Sequence, residues 1–133
     1  MKQLIPYLTI TGRCEEALHF YAAAFGGEIK ALMRFEEAPE PVAAEHKRLI
    51  MHAQLDADGF SLMASDGRPG MAPPPPSSPI TLNILLSDAA EQDRVWAKLG
   101  AGGTVGVALH QAFWGMRFGM LTDKFGFTWM LNC

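Results

Sequence analysis

His52 and Gln54 stand two residues apart in Met51-His52-Ala53-Gln54-Leu55, a segment with the composition of a strand. Residues at i and i+2 of a strand share a face, so an imidazole and a carboxamide are presented side by side. With a further side chain such a pair can hold a divalent cation. Equally, His52 can be a hydrogen-bonded histidine beside a cavity wall. Phe113-Trp114-Gly115-Met116-Arg117-Phe118 is the densest aromatic and cationic stretch. Trp114 ahead of a strand and Arg117 within it can line a pocket, with the Arg117 fork open to a carboxylate or phosphate. The same residues can instead close a rim or an interface, with Arg117 answering a local carboxylate. Met33, Met51, Met63, Met71, Met116, Met120 and Met130 suit a core, or a pliable apolar pocket. Cys14 precedes a helical turn, where a helix dipole lowers a thiol pKa. It has no histidine beside it in sequence, which favours a capping-region thiol over a nucleophile. His19 lies in a helical pattern beside Phe20 and Tyr21. His46 and His110 fall in loop contexts without a carboxylate at ligand spacing.

The elements that must position these groups follow from periodicity. Residues 4–10 alternate as a strand. Ala17, Leu18, Tyr21, Ala22 and Phe25 recur at helical spacing, predicting a helix from about Cys14 to Phe25 that Gly26-Gly27 stops. Strands are expected over 28–35, 48–55 and 59–65, with an acidic, proline-containing loop at 36–45. Residues 67–79 carry Gly67, Pro69, Gly70 and the run Pro73–Pro76, and read as an extended linker. A strand at 80–86, a helix at about 89–99 and strands near 104–109, 115–122 and 126–132 complete the order.

That order is β-α-β-β-β, twice. Gly59-Phe60-Ser61-Leu62-Met63 returns as Gly126-Phe127-Thr128-Trp129-Met130, and Pro6-Tyr7-Leu8-Thr9-Ile10 is echoed by Pro79-Ile80-Thr81-Leu82-Asn83-Ile84. The offsets are similar, 73 from Pro6 to Pro79 and 67 from Gly59 to Gly126. The chain is therefore expected to be one domain of two repeated modules, 1–66 and 80–133, joined by the 67–79 linker, with any site between the halves.

Bulk properties exclude several classes. The chain has 133 residues, 49% of them hydrophobic, which suits a globular protein with a real core. A formal charge of −3 gives no reason to expect nucleic acid or an anionic membrane as partner. No apolar run approaches the ~20 residues that span a bilayer. The N-terminus enters a strand without a signal-peptide pattern, and Cys14 and Cys133 form neither a CxxC pair nor a disulfide framework. The expected location is cytoplasmic.

Several segments carry a resemblance. They are Gly12-Arg13-Cys14-Glu15-Glu16-Ala17-Leu18-His19-Phe20-Tyr21, Phe25-Gly26-Gly27-Glu28, Leu62-Met63-Ala64-Ser65-Asp66, and Phe118-Gly119-Met120-Leu121-Thr122-Asp123-Lys124-Phe125-Gly126. With the repeated order, the chain resembles the vicinal oxygen chelate superfamily of glyoxalase I, bleomycin-resistance proteins and extradiol dioxygenases, and more narrowly its PhnB-like branch. The resemblance implies an α+β fold of two βαβββ modules, each a curved sheet around a cavity with its helix outside, and a homodimer.

In metal-dependent relatives, one His, Glu or Gln comes from the first and one from the last strand of each module. Here those positions fall, to within a residue, on Tyr7 (or Pro6), Thr81 (or Pro79), Met63 and Met130. None is such a ligand, and thioethers are poor donors to hard or borderline cations. No metal is expected there and no cofactor is called for. A displaced site around His52 is the alternative, and with it a lyase, isomerase or dioxygenase. Family members often bear a demethylubiquinone methyltransferase label. The usual glycine-rich turn between strand and helix is missing, since Gly100-Ala101-Gly102-Gly103 follows a helix and precedes a strand. The leading expectation is a protein that binds a small, moderately apolar molecule without chemistry. Its concave face is expected to carry Tyr7, Thr9, His52, Gln54 and Met63 from the first module, and Thr81, Asn83, Trp114, Arg117 and Met130 from the second.

Overall fold

A computed structural model describes residues 1–75 and 79–133. The chain divides into two compact units, Met1–Pro74 and Pro75–Cys133. The first contains β1 (Tyr7–Thr9), α1 (Cys14–Phe25), β2 (Glu28–Arg34), β3 (Ile50–Ala57) and β4 (Phe60–Ser65). The second contains β5 (Leu82–Leu85), α2 (Ala89–Leu99), β6 (Thr104–Gln111), β7 (Arg117–Thr122) and β8 (Thr128–Asn132). Each is a βαβββ module, and the fold is α+β. Of the expected linker, residues 76–78 lie outside the described residues, while 67–74 belong to the first unit.

Both sheets have the same topology, β1-β4-β3-β2 and β5-β8-β7-β6. The helix carries the chain from the first strand to the far edge, and a meander then returns to pair the last strand parallel with the first. The hairpins that close the meanders turn at matching glycines, Gly59 with φ 91° and Gly126 with φ 95°. Those values are open to glycine and rare for other residues, so the repeated glycine is a geometric requirement of the repeated turn.

Each sheet buries one face under its helix. In the first unit Cys14, Ala17, Leu18, Tyr21 and Ala24 of α1 meet Ala53 and Leu55 of β3 and Leu62 and Ala64 of β4, all buried. Tyr21 stacks on Phe25, whose ring meets the edge of Phe60 at 5.2 Å. In the second unit Gln92, Val95 and Leu99 of α2 and Leu121, Trp129 and Leu131 are buried. Full burial of such apolar side chains stabilises by about 1.5–3 kcal/mol each.

The strand at 4–10 is shorter than expected. Pro6 lacks an N–H, so only its carbonyl joins the ladder, accepting from Met63 N at 3.0 Å, and Leu4 is exposed. The 36–45 loop is bounded by short 3-10 turns at Phe35–Glu37 and Ala44–His46.

The two helices are capped in different ways. Asp88 caps α2 locally, accepting from Glu91 N at 2.8 Å. Arg13 gives α1 no side-chain cap. Instead Asp66, just beyond β4, accepts from Cys14 N at 3.0 Å through Oδ1 and from Ile50 N at 2.6 Å through Oδ2. Its own N–H donates to the Ile50 carbonyl. Asp66→Ala leaves two buried N–H groups without an acceptor and is expected to cost about 2–4 kcal/mol, against about 0.5–2 kcal/mol for Asp88→Ala. Urea denaturation of the two variants checks the order.

Candidate functional site

The face of the first sheet turned away from α1 carries most of the first-module candidates. Tyr7 pairs with Met63, Met63 with Gln54, and Gln54 with Ala31, so one row of side chains crosses the sheet. The Tyr7 hydroxyl lies 3.1 Å from His52 Nδ1, the direction of donation following the imidazole tautomer. Gln54 Nε2 and the Ser61 hydroxyl both donate to Asp56 Oδ1, at 2.9 and 2.8 Å. These two bonds, Gln54 first, hold the Asp56 carboxyl below its usual range. Histidine and glutamine do share the face, but each has a local partner.

Toward the Thr9 end of this face the sheet opens into a cleft of about 920 Å³. Thr9 and Ser65, opposite one another across β1 and β4, form part of its floor. Phe35 and Val42 from the 35–46 segment and Met71 from the 66–74 segment supply apolar walls, and Thr11 and Arg68 add polar groups. Met51 also lines it. The pairing runs from Met33↔His52 to Arg34↔Ile50, so Met51 is the extra residue of a bulge. Bulges re-aim side chains, and this one places a thioether in the cleft. Thr9 is the one expected site residue that belongs to this cleft.

The open face of the second sheet has its own rows. Asn83 pairs with Met130 and Met130 with Met120, while Asn132 Nδ2 donates to Asn83 Oδ1 at 2.6 Å. Thr81 lies ahead of β5, and the strand pairing makes Asn83, not Thr81, the counterpart of Tyr7. Strand parity alone could not separate the two, since Thr81 and Asn83 lie two residues apart and share it. Trp114 sits at the tip of the β6–β7 hairpin, half-exposed, with its ring edge-on to Phe113 and Phe118 at 5.0 and 5.4 Å.

Arg117 does not stand over that face. Phe118 pairs with Asn132, and alternation turns Arg117 the other way, toward α2. Its guanidinium donates to Asp93 Oδ1 at 2.8 Å and Gln92 Oε1 at 3.1 Å. Gln92 in turn donates to the Arg117 and Leu131 carbonyls. The arginine pins α2 to its sheet.

The two thioethers and the phenol at Met63, Met130 and Tyr7 do not fit the divalent cation of the metal-dependent relatives, which takes imidazole, carboxylate or carboxamide donors, and the Asn83 carboxamide alone cannot hold it. Among the described residues no group of three or more His, Cys, Asp or Glu side chains converges.

The chain matches, over residues 2–132, the model of a family described as 3-demethylubiquinone-9 3-methyltransferase. It belongs to that family. Protein YjdN of Escherichia coli (strain K12) is 34% identical over 141 residues, spanning 97% of this chain and 93% of the relative. Among solved structures, protein PA1353 from Pseudomonas aeruginosa is 39% identical with a TM-score of 0.90, covering 100% of this chain and 98% of that one. The PhnB protein from Bacillus cereus is 26% identical with a TM-score of 0.79, covering 98% of each chain. A glyoxalase/bleomycin resistance protein/dioxygenase family enzyme from Burkholderia phytofirmans PsJN is 16% identical over 95% of this chain and 94% of that one, with a TM-score of 0.55, a likeness of fold. The family is thus PhnB-like, and its fold is shared with a glyoxalase/bleomycin resistance protein/dioxygenase family enzyme. Its methyltransferase name finds no support in the structure: both sheets are four-stranded, with a three-strand meander paired parallel to the first strand, and Gly100–Gly103 leads from α2 into β6 rather than from a strand into a helix.

The cleft residues Thr11, Ser65 and Arg68 escaped the sequence reading, which named Met51 and Met71 only among the methionines that suit a core or a pliable apolar pocket. One signal was present, since Arg68-Pro69-Gly70-Met71 has the proline and glycine of a type II turn. Cys14 is buried and its thiol is pushed up to about 12, first by burial and then by Asp66 and Glu15. A neutral, enclosed thiol is no nucleophile. With a thiol reagent near neutral pH, Cys133 is expected to react and Cys14 to react only in denaturant. Rapid labelling of Cys133→Ser protein without denaturant would contradict this.

Proposed function

We propose that this PhnB-like protein binds a small, moderately apolar molecule on the open face of its first sheet, without catalysis by a divalent metal. The observation that carries the reading is the cleft of about 920 Å³ at the end of that face, within the size range of small-molecule sites. Phe35, Val42, Met51 and Met71 give it apolar walls, and Thr9 and Thr11 supply hydroxyls that can orient a bound molecule. Tyr7, His52, Gln54 and Met63 continue the surface along the sheet.

The protein is proposed to act in the cytoplasm as a homodimer. Among the described residues no helix is long and apolar enough to cross a membrane. Support for a dimer comes from β6, an exposed strand at the sheet edge that presents Val105 and Val107, next to the exposed Phe113. Light scattering on the purified chain checks it: a mass of two chains is expected, and a monomer at micromolar concentration speaks against it.

The test of binding is a thermal-shift screen of apolar small molecules on wild-type and Met51→Glu protein. Met51→Glu puts a charge into the apolar part of the cleft and is expected to abolish the shifts that wild type shows. Shifts that survive it place the ligand elsewhere. For the metal, elemental analysis after incubation with nickel, zinc, manganese and iron(II) and desalting is expected to give well under one ion per chain. The chelated protein is expected to melt at an unchanged temperature. Stoichiometric metal lost in His52→Ala would instead establish the displaced site and its enzymology.

A further inference from the structure

Most arginines of this chain are already answered by carboxylates. Arg13 pairs with Glu16, Arg34 with Glu15, Arg48 with Glu36 and Arg117 with Asp93. Arg68 differs. It lines the first unit's cleft, and its guanidinium makes no hydrogen bond or ion pair with the described residues. It is also the one cationic side chain among the described residues that line the cleft.

Its backbone is held from both sides. Upstream, Asp66 is tied to Cys14 and Ile50, and Gly67 N donates to the Ser65 hydroxyl at 3.1 Å. Downstream, Met71 N donates to the Arg68 carbonyl at 3.1 Å, and Gly70 has φ 82°. With Pro69 and Gly70 as its central residues this is a type II turn, which needs positive φ at its third position. A planar five-donor fork is thus presented from a fixed platform beside apolar walls.

We propose that the cleft takes a small organic carboxylate. Its apolar body lies against Phe35, Val42, Met51 and Met71, and its carboxylate is held by Arg68. The inference rests on the reading of this cleft as the ligand site and adds the charge of the ligand. Of the two carboxylates in the lining, Asp66 already accepts two backbone N–H groups. Glu40 is exposed at the rim and is the charge that competes. A ligand led by Glu40 would be an ammonium instead.

Three probes of nearly one shape separate the cases: hydrocinnamate, hydrocinnamide and phenylpropylamine. Calorimetric titration of the full chain is expected to show hydrocinnamate binding about tenfold or more tightly than hydrocinnamide, the scale of one charge-assisted hydrogen-bond pair. Arg68→Gln is expected to remove that preference, Arg68→Lys to keep part of it, and Glu40→Gln to preserve or increase it. Arg68 is exposed on a turn, and circular dichroism of its variants verifies the fold. Equal binding of acid and amide that is lost in Met51→Glu overturns the carboxylate and leaves the cleft as a binding site. Tightest binding of the amine, lost in Glu40→Gln, overturns it in favour of a cation. Acid binding unchanged in Arg68→Gln overturns the role of Arg68. Failure of all three probes to bind overturns the cleft reading, and the carboxylate with it.

Discussion

The two carboxylate oxygens of Asp66 hold the first unit together. One accepts from the first N–H of α1, the other from the first residue of β3, and the main chain of Asp66 continues β4. A buried carboxylate is tolerated where its oxygens are hydrogen-bonded, and here each oxygen accepts from a backbone N–H, that of Cys14 being one a helix start leaves without a partner. Helix, central strand and parallel strand are therefore fixed at one point. The 66–74 segment leaves the sheet from that point, so the wall of the cleft inherits its position from the same residue.

The second unit solves the equivalent problem by other means. Its helix is capped locally by Asp88 and pinned through Gln92 and Arg117. Asp123 organises its last hairpin, accepting from Phe125 N, Phe127 N and Trp129 Nε1. Two modules with one topology thus keep the same shape through unrelated polar networks. The topology and the glycine turns are common to both, whereas the polar fastening is particular to each. The open faces differ as well: a Tyr–His pair and an Asp-centred cluster on one, an Asn–Asn pair among methionines on the other.

Legibility in the sequence followed the range of the interaction. Both helices were readable to the residue, because apolar spacing and the glycines after Phe25 and Leu99 are local signals. The repeat was readable because Gly59 and Gly126 meet the same backbone demand. At Arg117 composition left two readings open, a pocket residue or one answering a local carboxylate, and the structure shows the second, through Asp93 of α2. At Thr81 parity could not choose between residues two apart, and strand pairing sets the equivalence at Asn83. The cleft was hidden for a different reason. Its residues come from a bulge, a loop and a stretch with the composition of a spacer, and only tertiary structure brings them together.

The cap of α1 lies 52 residues downstream of the N–H it serves. During synthesis the first turn of that helix waits for its acceptor until β2, β3 and β4 have left the ribosome. The helix of the second module carries its own acceptor in the preceding residue. A chain made from N- to C-terminus therefore holds its earliest helix open longest. The first module can fasten its helix only once β4 has been made, whereas the second can cap its helix as soon as that helix is made.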